Sequence, residues 1–265
     1  MKVAIAGLGA VGRVLAQRLT DGIPGLTLSA VAAGNFDKAR AWLDAHGITV
    51  PVVSLVEFPL YADIAVECAP PEILEQICRP MLEAGKKVMV ISAGALLPRP
   101  ELVELAKTGG GQIIVPTGAL LAFDAVTAAA EGDIHSVRMV TRKPPKGLSG
   151  ARYLVANHID VDGLTAPKRV FAGTAREAAA GFPENVNVVA ALSLAGIGPD
   201  RTMIEIWADP ALSRNCHNIE VEADSARFSF SIENVPSENP RTGKSVAPST
   251  IAALRGLVSE LKVGS

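Results

Sequence analysis

Apolar positions up to Pro116 come in two alternating rhythms. Val3 to Ala6, Leu26 to Val31, Ile64 to Glu67, Lys87 to Ile91 and Gln112 to Val115 are short runs of strand length. Between them, Val11, Leu15 and Leu19 recur at i, i+4, i+8 and predict a helix. Further helices are predicted over Asp37 to His46, Pro71 to Ala84 and Pro100 to Lys107, with Gly47 and Gly85 as stops. Strand and helix in strict alternation predict βαβ units on a parallel sheet. After Pro116 the rhythm changes. Strands are expected over Asp133 to Arg142, Arg169 to Ala172, Thr202 to Ala208, Asn218 to Val221 and Ala226 to Glu233. Helices are expected over Thr174 to Gly181 and Pro183 to Ala195, while Ser149 to Pro167 has no clear period. Pro236 to Pro248 reads as a loop, and Ser249 to Leu261 as a terminal amphipathic helix with Ser249 as N-cap.

The predicted fold class is therefore α/β: an N-terminal Rossmann doubly wound parallel sheet, then a C-terminal α+β substrate and dimerisation domain. The expected boundaries are 1–116, with the helix over 246–265 returning to pack on it, and 117–245.

Composition narrows the function classes. The chain has 265 residues, 49% of them hydrophobic and 20% charged, with a net charge of -2. No broad basic surface is implied, so nucleic acid is not an expected partner. No apolar run approaches the ~20 residues of a membrane span, and glycines break the apolar N-terminus before it could act as a signal peptide. The three cysteines, Cys68, Cys78 and Cys216, have no metal-type spacing, so no metal is expected and reduced thiols in the cytoplasm are.

Candidate chemistry begins at Gly7-Leu8-Gly9-Ala10-Val11-Gly12, a GxGxxG turn that directly follows a strand and opens a helix. Gly7 would permit the tight turn, Gly9 the approach of a pyrophosphate, and Gly12 close packing of helix on strand. Ala10, Val11 and, past the third strand, Ala69 are expected to line the same dinucleotide. The second strand ends in Ala32-Ala33-Gly34-Asn35-Phe36-Asp37, with no carboxylate directly at its end. Asn35 is the candidate ribose partner, or else it turns the chain while Asp37 caps the next helix. Lys38 or Arg40 could meet a 2′-phosphate, so NADP is expected to be accepted alongside NAD. In the second half, His217 lies in a polar stretch read as a loop between strands, where an acid/base group is commonly carried. Asn185 and Asn187 flank a helix start, as cap or as amide ligands. Arg142 and Lys143 form either a solvated charge pair or a carboxylate clamp.

Several stretches together resemble the L-aspartate dehydrogenase family: SAGAL at Ser92 to Leu96, PTGALLAFDAV at Pro116 to Val126 and TRKPP at Thr141 to Pro145. FPENVNVVAALSLAGIGPDRT at Phe182 to Thr202, an Asp-Pro followed by RNCHNI, and ENVPSENPRTG at Glu233 to Gly243 continue the likeness in order along nearly the whole chain. The resemblance implies NAD(P)-dependent deamination of L-aspartate to iminosuccinate, which hydrolyses to oxaloacetate and ammonia, or the reverse. It implies His217 as the active-site histidine, and Asn187 and Leu121 as cofactor contacts, although Leu121 is larger than the small residue usual there. Arg142, Lys143 and Asn185 are expected around the substrate, which would lie between the domains. It further implies a homodimer and a link to NAD biosynthesis. Rival readings are the same architecture acting on another amino acid, an imine or a semialdehyde, or a non-catalytic dinucleotide sensor.

Overall fold

The computed structural model describes residues 1–183, 186–235 and 243–263. It divides into two compact units, one of Met1–Pro116 with Ala247–Lys262, the other of Thr117–Val246 with the last few residues.

The first unit runs β1 (Lys2–Ala6), α1 (Ala10–Thr20), β2 (Thr27–Ala32), α2 (Phe36–Ala45), α3 (Phe58–Tyr61), β3 (Ile64–Glu67), α4 (Leu74–Glu83), β4 (Lys87–Val90), α5 (Pro100–Gly109) and β5 (Gln112–Ile114). All five strands are parallel, in the order β2-β1-β3-β4-β5. Both faces are covered, as a parallel sheet requires. Alternation along β1 shows how the faces divide: Val3 and Ile5 join Leu15, Leu19 and Leu43 on one side. Ala4 and Ala6 meet Phe58, Leu74, Ile77 and Met81 on the other.

The second unit runs α6 (Phe123–Ala129), β6 (Ile134–Lys143), α7 (Arg152–Ala156), β7 (Lys168–Thr174), α8 (Ala175–Gly181), α9 (Asn187–Ala195), β8 (Thr202–Ala208), β9 (Asn215–Ala223) and β10 (Arg227–Asn234). Its sheet is mixed, in the order β10-β9-β6-β8-β7, with β6 and β8 parallel and the other pairs antiparallel. One face is buried. Along β6, Val137, Met139, Thr141 and Lys143 are buried while the intervening residues are more exposed.

Four local expectations need correction. β9 begins at Asn215, so His217 stands inside a strand and not in a loop. Its neighbours are polar, which hides the strand from a hydrophobic pattern, but ladders to β10 and β6 on both sides satisfy their backbone groups. The final helix, α10 (Val246–Gly256), starts before Ser249, which lies within it. Pro248 is accommodated in its first turn, where a missing N–H costs nothing. Asn35, not Asp37, caps α2: its Oδ1 accepts the Lys38 backbone N–H at 2.8 Å. The aperiodic stretch after Ser149 holds the short helix α7.

Ile251 and Leu254 of α10 join the first unit's core beside β1 and α1. Leu254 is fully buried there. Replacing it with Ala is expected to cost ~2–5 kcal/mol, the usual range for an emptied leucine site. A drop in the urea midpoint at unchanged slope would report it.

Candidate active site

The glycine turn of the first unit shows a different need at each glycine. Gly7 has φ +102°, a region that L side chains rarely adopt, and a Cβ there would come within 2.5 Å of the Cys68 carbonyl oxygen. A Cβ on Gly12 would overlap the Gly7 carbonyl, so α1 can lie this close to the turn only with glycine there. Gly9 differs from both: an added Cβ would meet nothing of the chain within 4 Å, and its φ is ordinary. The fold itself gives no reason for glycine at 9. Glycine there leaves the α1 N-terminus open to a group approaching from outside. Ala10 and Val11 form the first turn of α1, and Ala69 follows β3 beside the same turn.

Next to it, Glu67 is buried at the end of β3. Its carboxylate accepts N–H bonds from Ile91 and Ser92 at 3.0 and 2.8 Å and the Ser92 hydroxyl at 3.1 Å. Burial raises its pKa, against the opposing pull of those donors. Glu67 thereby fixes the chain leaving β4 against the end of β3. A sequence pattern has no signal for this, because Glu67 reads only as the polar end of a strand.

At the end of β2, Asn35 is exposed and spends its oxygen on the α2 cap. Arg40 is turned down its helix, donating to the Val50 carbonyl at 3.0 Å and lying 3.7 Å from Asp44. Of the two cations considered for a 2′-phosphate, Lys38 remains the one in the first turn of α2.

In the second unit the decisive geometry is the pairing of β6 with β9. Thr141 stands opposite His217, and Thr141 Oγ1 lies 3.1 Å from His217 Nδ1. Both are buried, and so is Lys143, two residues further on the same face of β6. Burial, and then the nearby Lys143 charge, push the His217 pKa down to about 3. Burial alone pushes Lys143 down to about 8. Thr141 was not singled out from sequence; only the register reveals it.

The expected clamp of Arg142 with Lys143 is not formed. Consecutive strand residues point to opposite faces, so Arg142 is on the open face. There it lies over the Trp207 ring at 4.7 Å and 3.6 Å from Asp209. A cavity of about 400 Å³ beside that face is lined by Val140, Arg142, Cys216, His217 and Glu233, among others. Burial, Glu233 and Asp209 push the Cys216 thiol up, so it is no ready nucleophile.

Asn187 is the first residue of α9, which packs on α6, α8 and β8. Asn185 lies outside the described residues. Leu121 is exposed, in the loop before α6. That loop is tied to the sheet by Asn234, whose Nδ2 donates to the Ala119 carbonyl at 2.9 Å. Asn234 pairs with Asn215, so the loop is anchored at the end of the sheet that carries His217. The residue after Leu121, Ala122, has φ 62°, an uncommon conformation for a side-chain-bearing residue.

Comparison with known proteins bears on both units. Residues 124–257 match the family model described as aspartate dehydrogenase, C-terminal. Residues 7–116 match homoserine dehydrogenase, NAD binding domain. An L-aspartate dehydrogenase of Bradyrhizobium diazoefficiens is 55% identical over all of this chain and 94% of its own. The chain belongs to the L-aspartate dehydrogenase family. L-aspartate dehydrogenase 3 of Bordetella bronchiseptica is 53% identical, covering 99% of this chain and 97% of that one. The crystal structure of aspartate dehydrogenase from Thermotoga maritima has a TM-score of 0.75 at 25% identity, covering 100% of this chain and 99% of that one. Membership of this family agrees with a Rossmann unit for NAD or NADP followed by an α+β unit.

The three glycines make a contrast that can be measured. Gly9→Ala is expected to leave unfolding unchanged and weaken NAD(P)H binding at least tenfold, read by nicotinamide fluorescence. Gly12→Ala is expected to lower the urea midpoint as well, because its Cβ collides inside the fold.

Proposed function

We propose that this chain catalyses the NAD(P)-dependent oxidative deamination of L-aspartate to iminosuccinate, and so to oxaloacetate and ammonia, or the reverse amination. The observation that carries it is the buried Thr141–His217–Lys143 face inside a family-specific second unit. The relatives at 53% and 55% identity, named L-aspartate dehydrogenases, support aspartate over another amino acid, an imine or a semialdehyde. A sensor would not need two buried proton-handling groups.

The dinucleotide, when bound, supplies the two-electron acceptor. Gly7, Gly9, Ala10, Val11 and Gly12 would hold its pyrophosphate, with Asn35 at the adenosine ribose and Ala69, Leu121 and Asn187 as further contacts. His217 is the active-site histidine. Its low pKa keeps the ring neutral at working pH, with Nδ1 held at Thr141. A neutral ring can orient the water that attacks the imine. Lys143 faces the substrate with it. Arg142, on the other face, does not. Without an acid at the end of β2, both NAD and NADP are used.

The protein acts in the cytoplasm as a homodimer. Its three cysteines are unpaired, which suits a reducing compartment. The open face of the second sheet carries Arg138, Arg142 and Arg169 on one half, already paired with Glu205 and Asp209, and Glu220, Glu222 and Glu233 on the other. A twofold-related copy would set the acidic half against those arginines. Met203, 46% exposed on that face, gives the interface apolar area. Sedimentation should show a dimer that shifts to monomer in Met203→Glu; an unaltered dimer places the interface elsewhere.

The activity is tested by NAD(P)H absorbance with L-aspartate, and with oxaloacetate plus ammonium, using each cofactor. Turnover in both directions is expected, with less than a hundredfold preference between cofactors. His217→Ala should lower kcat by ~10²-fold or more. Failure to turn over aspartate, or a near-normal kcat in that variant, would contradict the assignment.

A further inference from the structure

The carboxyl ends of β1, β3 and β4 stand in line. Ala6 is the register partner of Glu67, and Glu67 of Val90, so Gly7, Cys68 and Ile91 leave the sheet side by side. A nucleotide on a parallel sheet lies in the crevice outside those ends. With its pyrophosphate at the glycine turn and its adenosine toward β2, its nicotinamide half extends the other way, over β3 and β4. The chain leaving β4 lies two strand spacings from the turn, roughly 10 Å, which a ribose and a ring can bridge.

Glu67 decides what that chain presents. Its Oε2 accepts the Ile91 and Ser92 N–H groups, and its Oε1 accepts the Ser92 hydroxyl at 3.1 Å. Glu67 is only 1% exposed. Burial raises its pKa, and the N–H groups of Ser92, Ile91 and Ala69 pull the other way. A carboxylate can only accept, so the single hydroxyl proton of Ser92 is committed to it. Ser92 precedes the short turn Ala93–Ala95, where a serine oxygen commonly accepts a backbone N–H, yet it makes no such cap. Ser92 is half-buried, and among the described residues no donor is bonded to its oxygen. That oxygen therefore offers lone pairs and no proton.

We propose that Ser92 is the specificity contact for the nicotinamide carboxamide, accepting an N–H of its NH2 group, and that Glu67 is the residue that positions it. A fixed acceptor there turns the carboxamide one way and holds the ring against rotation about its glycosidic bond. One face of the ring is then kept toward the substrate. The inference rests on the reading of the glycine turn as the pyrophosphate site and extends it to the other half of the dinucleotide.

The test compares NADH with reduced 3-acetylpyridine adenine dinucleotide, in which a methyl group replaces the carboxamide NH2 and the carbonyl stays. Binding to wild type, Ser92→Ala, Ser92→Thr and Glu67→Gln is measured by titration calorimetry at pH 7. Wild type should prefer NADH roughly three- to tenfold, the worth of one hydrogen bond. Ser92→Ala should bind both with the affinity of the analogue, so the preference disappears. Ser92→Thr keeps the hydroxyl and should keep the preference. In Glu67→Gln the new amide donates to the Ser92 oxygen and turns the hydroxyl proton outward, so the preference should disappear although Ser92 is present. Combining Ser92→Ala with Glu67→Gln should then remove no further preference.

Urea midpoints show whether each variant is folded. Should Glu67→Gln not fold, Ser92→Ala and Ser92→Thr decide the contact. Equal weakening of both nucleotides by Ser92→Ala, or a wild type that does not distinguish them, would overturn it. A folded Glu67→Gln that keeps the full preference would overturn the positioning role. Wild type binding neither nucleotide would overturn the glycine-turn reading and this contact with it. Binding that Gly9→Ala weakens, with a preference that Ser92→Ala leaves intact, overturns this contact alone.

Discussion

The pleat of two paired strands governs the chemistry of the second unit. β6 and β9 run antiparallel with Thr141 opposite His217, and every second residue of each turns into the buried face. That places a hydroxyl, an imidazole and an ammonium group together where water is scarce. Burying charge there is costly, so both titratable groups are held toward their neutral forms. A slip of one residue in the register would exchange Lys143 for Arg142 and His217 for Cys216. The buried face would then carry a guanidinium and a thiol, neither of which suits proton transfer near neutral pH.

The first unit depends on a tighter contact. α1 approaches the β1 turn so closely that position 12 has no room for a side chain, and the Gly7 backbone adopts a left-handed conformation against Cys68. Close approach aims the α1 N-terminus along the turn, and Gly9 leaves that end open. Glu67 adds a second restraint, since one buried carboxylate gathers three donors from the chain leaving β4. Its desolvation cost is partly offset by those bonds, and the loop is fixed as a result.

Polar groups carry the connections in the second unit as well. Asn234 reaches the Ala119 carbonyl and receives the Ser245 hydroxyl at 3.2 Å, so one amide ties a loop, a strand end and the approach to α10. The strained Ala122 follows that loop directly. Leu121 stays exposed beside it.

The sequence by itself determined the alternation of strands and helices, the parallel first sheet, the glycine turn and the family. These are local or periodic properties: a period of two or 3.6, a glycine where φ is positive, a run of residues in order. It also carried His217 and Asn187, but through resemblance and not through pattern. The strand around His217 was hidden because its residues are polar and its stability comes from two ladders. The cap at Asn35 and the start of α10 before Ser249 were misjudged by two or three residues, where neighbouring polar side chains compete for the same role. Only the tertiary structure decided which cation of the Arg142–Lys143 pair keeps company with His217. Adjacent letters say nothing about which face is covered by helices, and that covering sets the dielectric, the pKa and the chemistry.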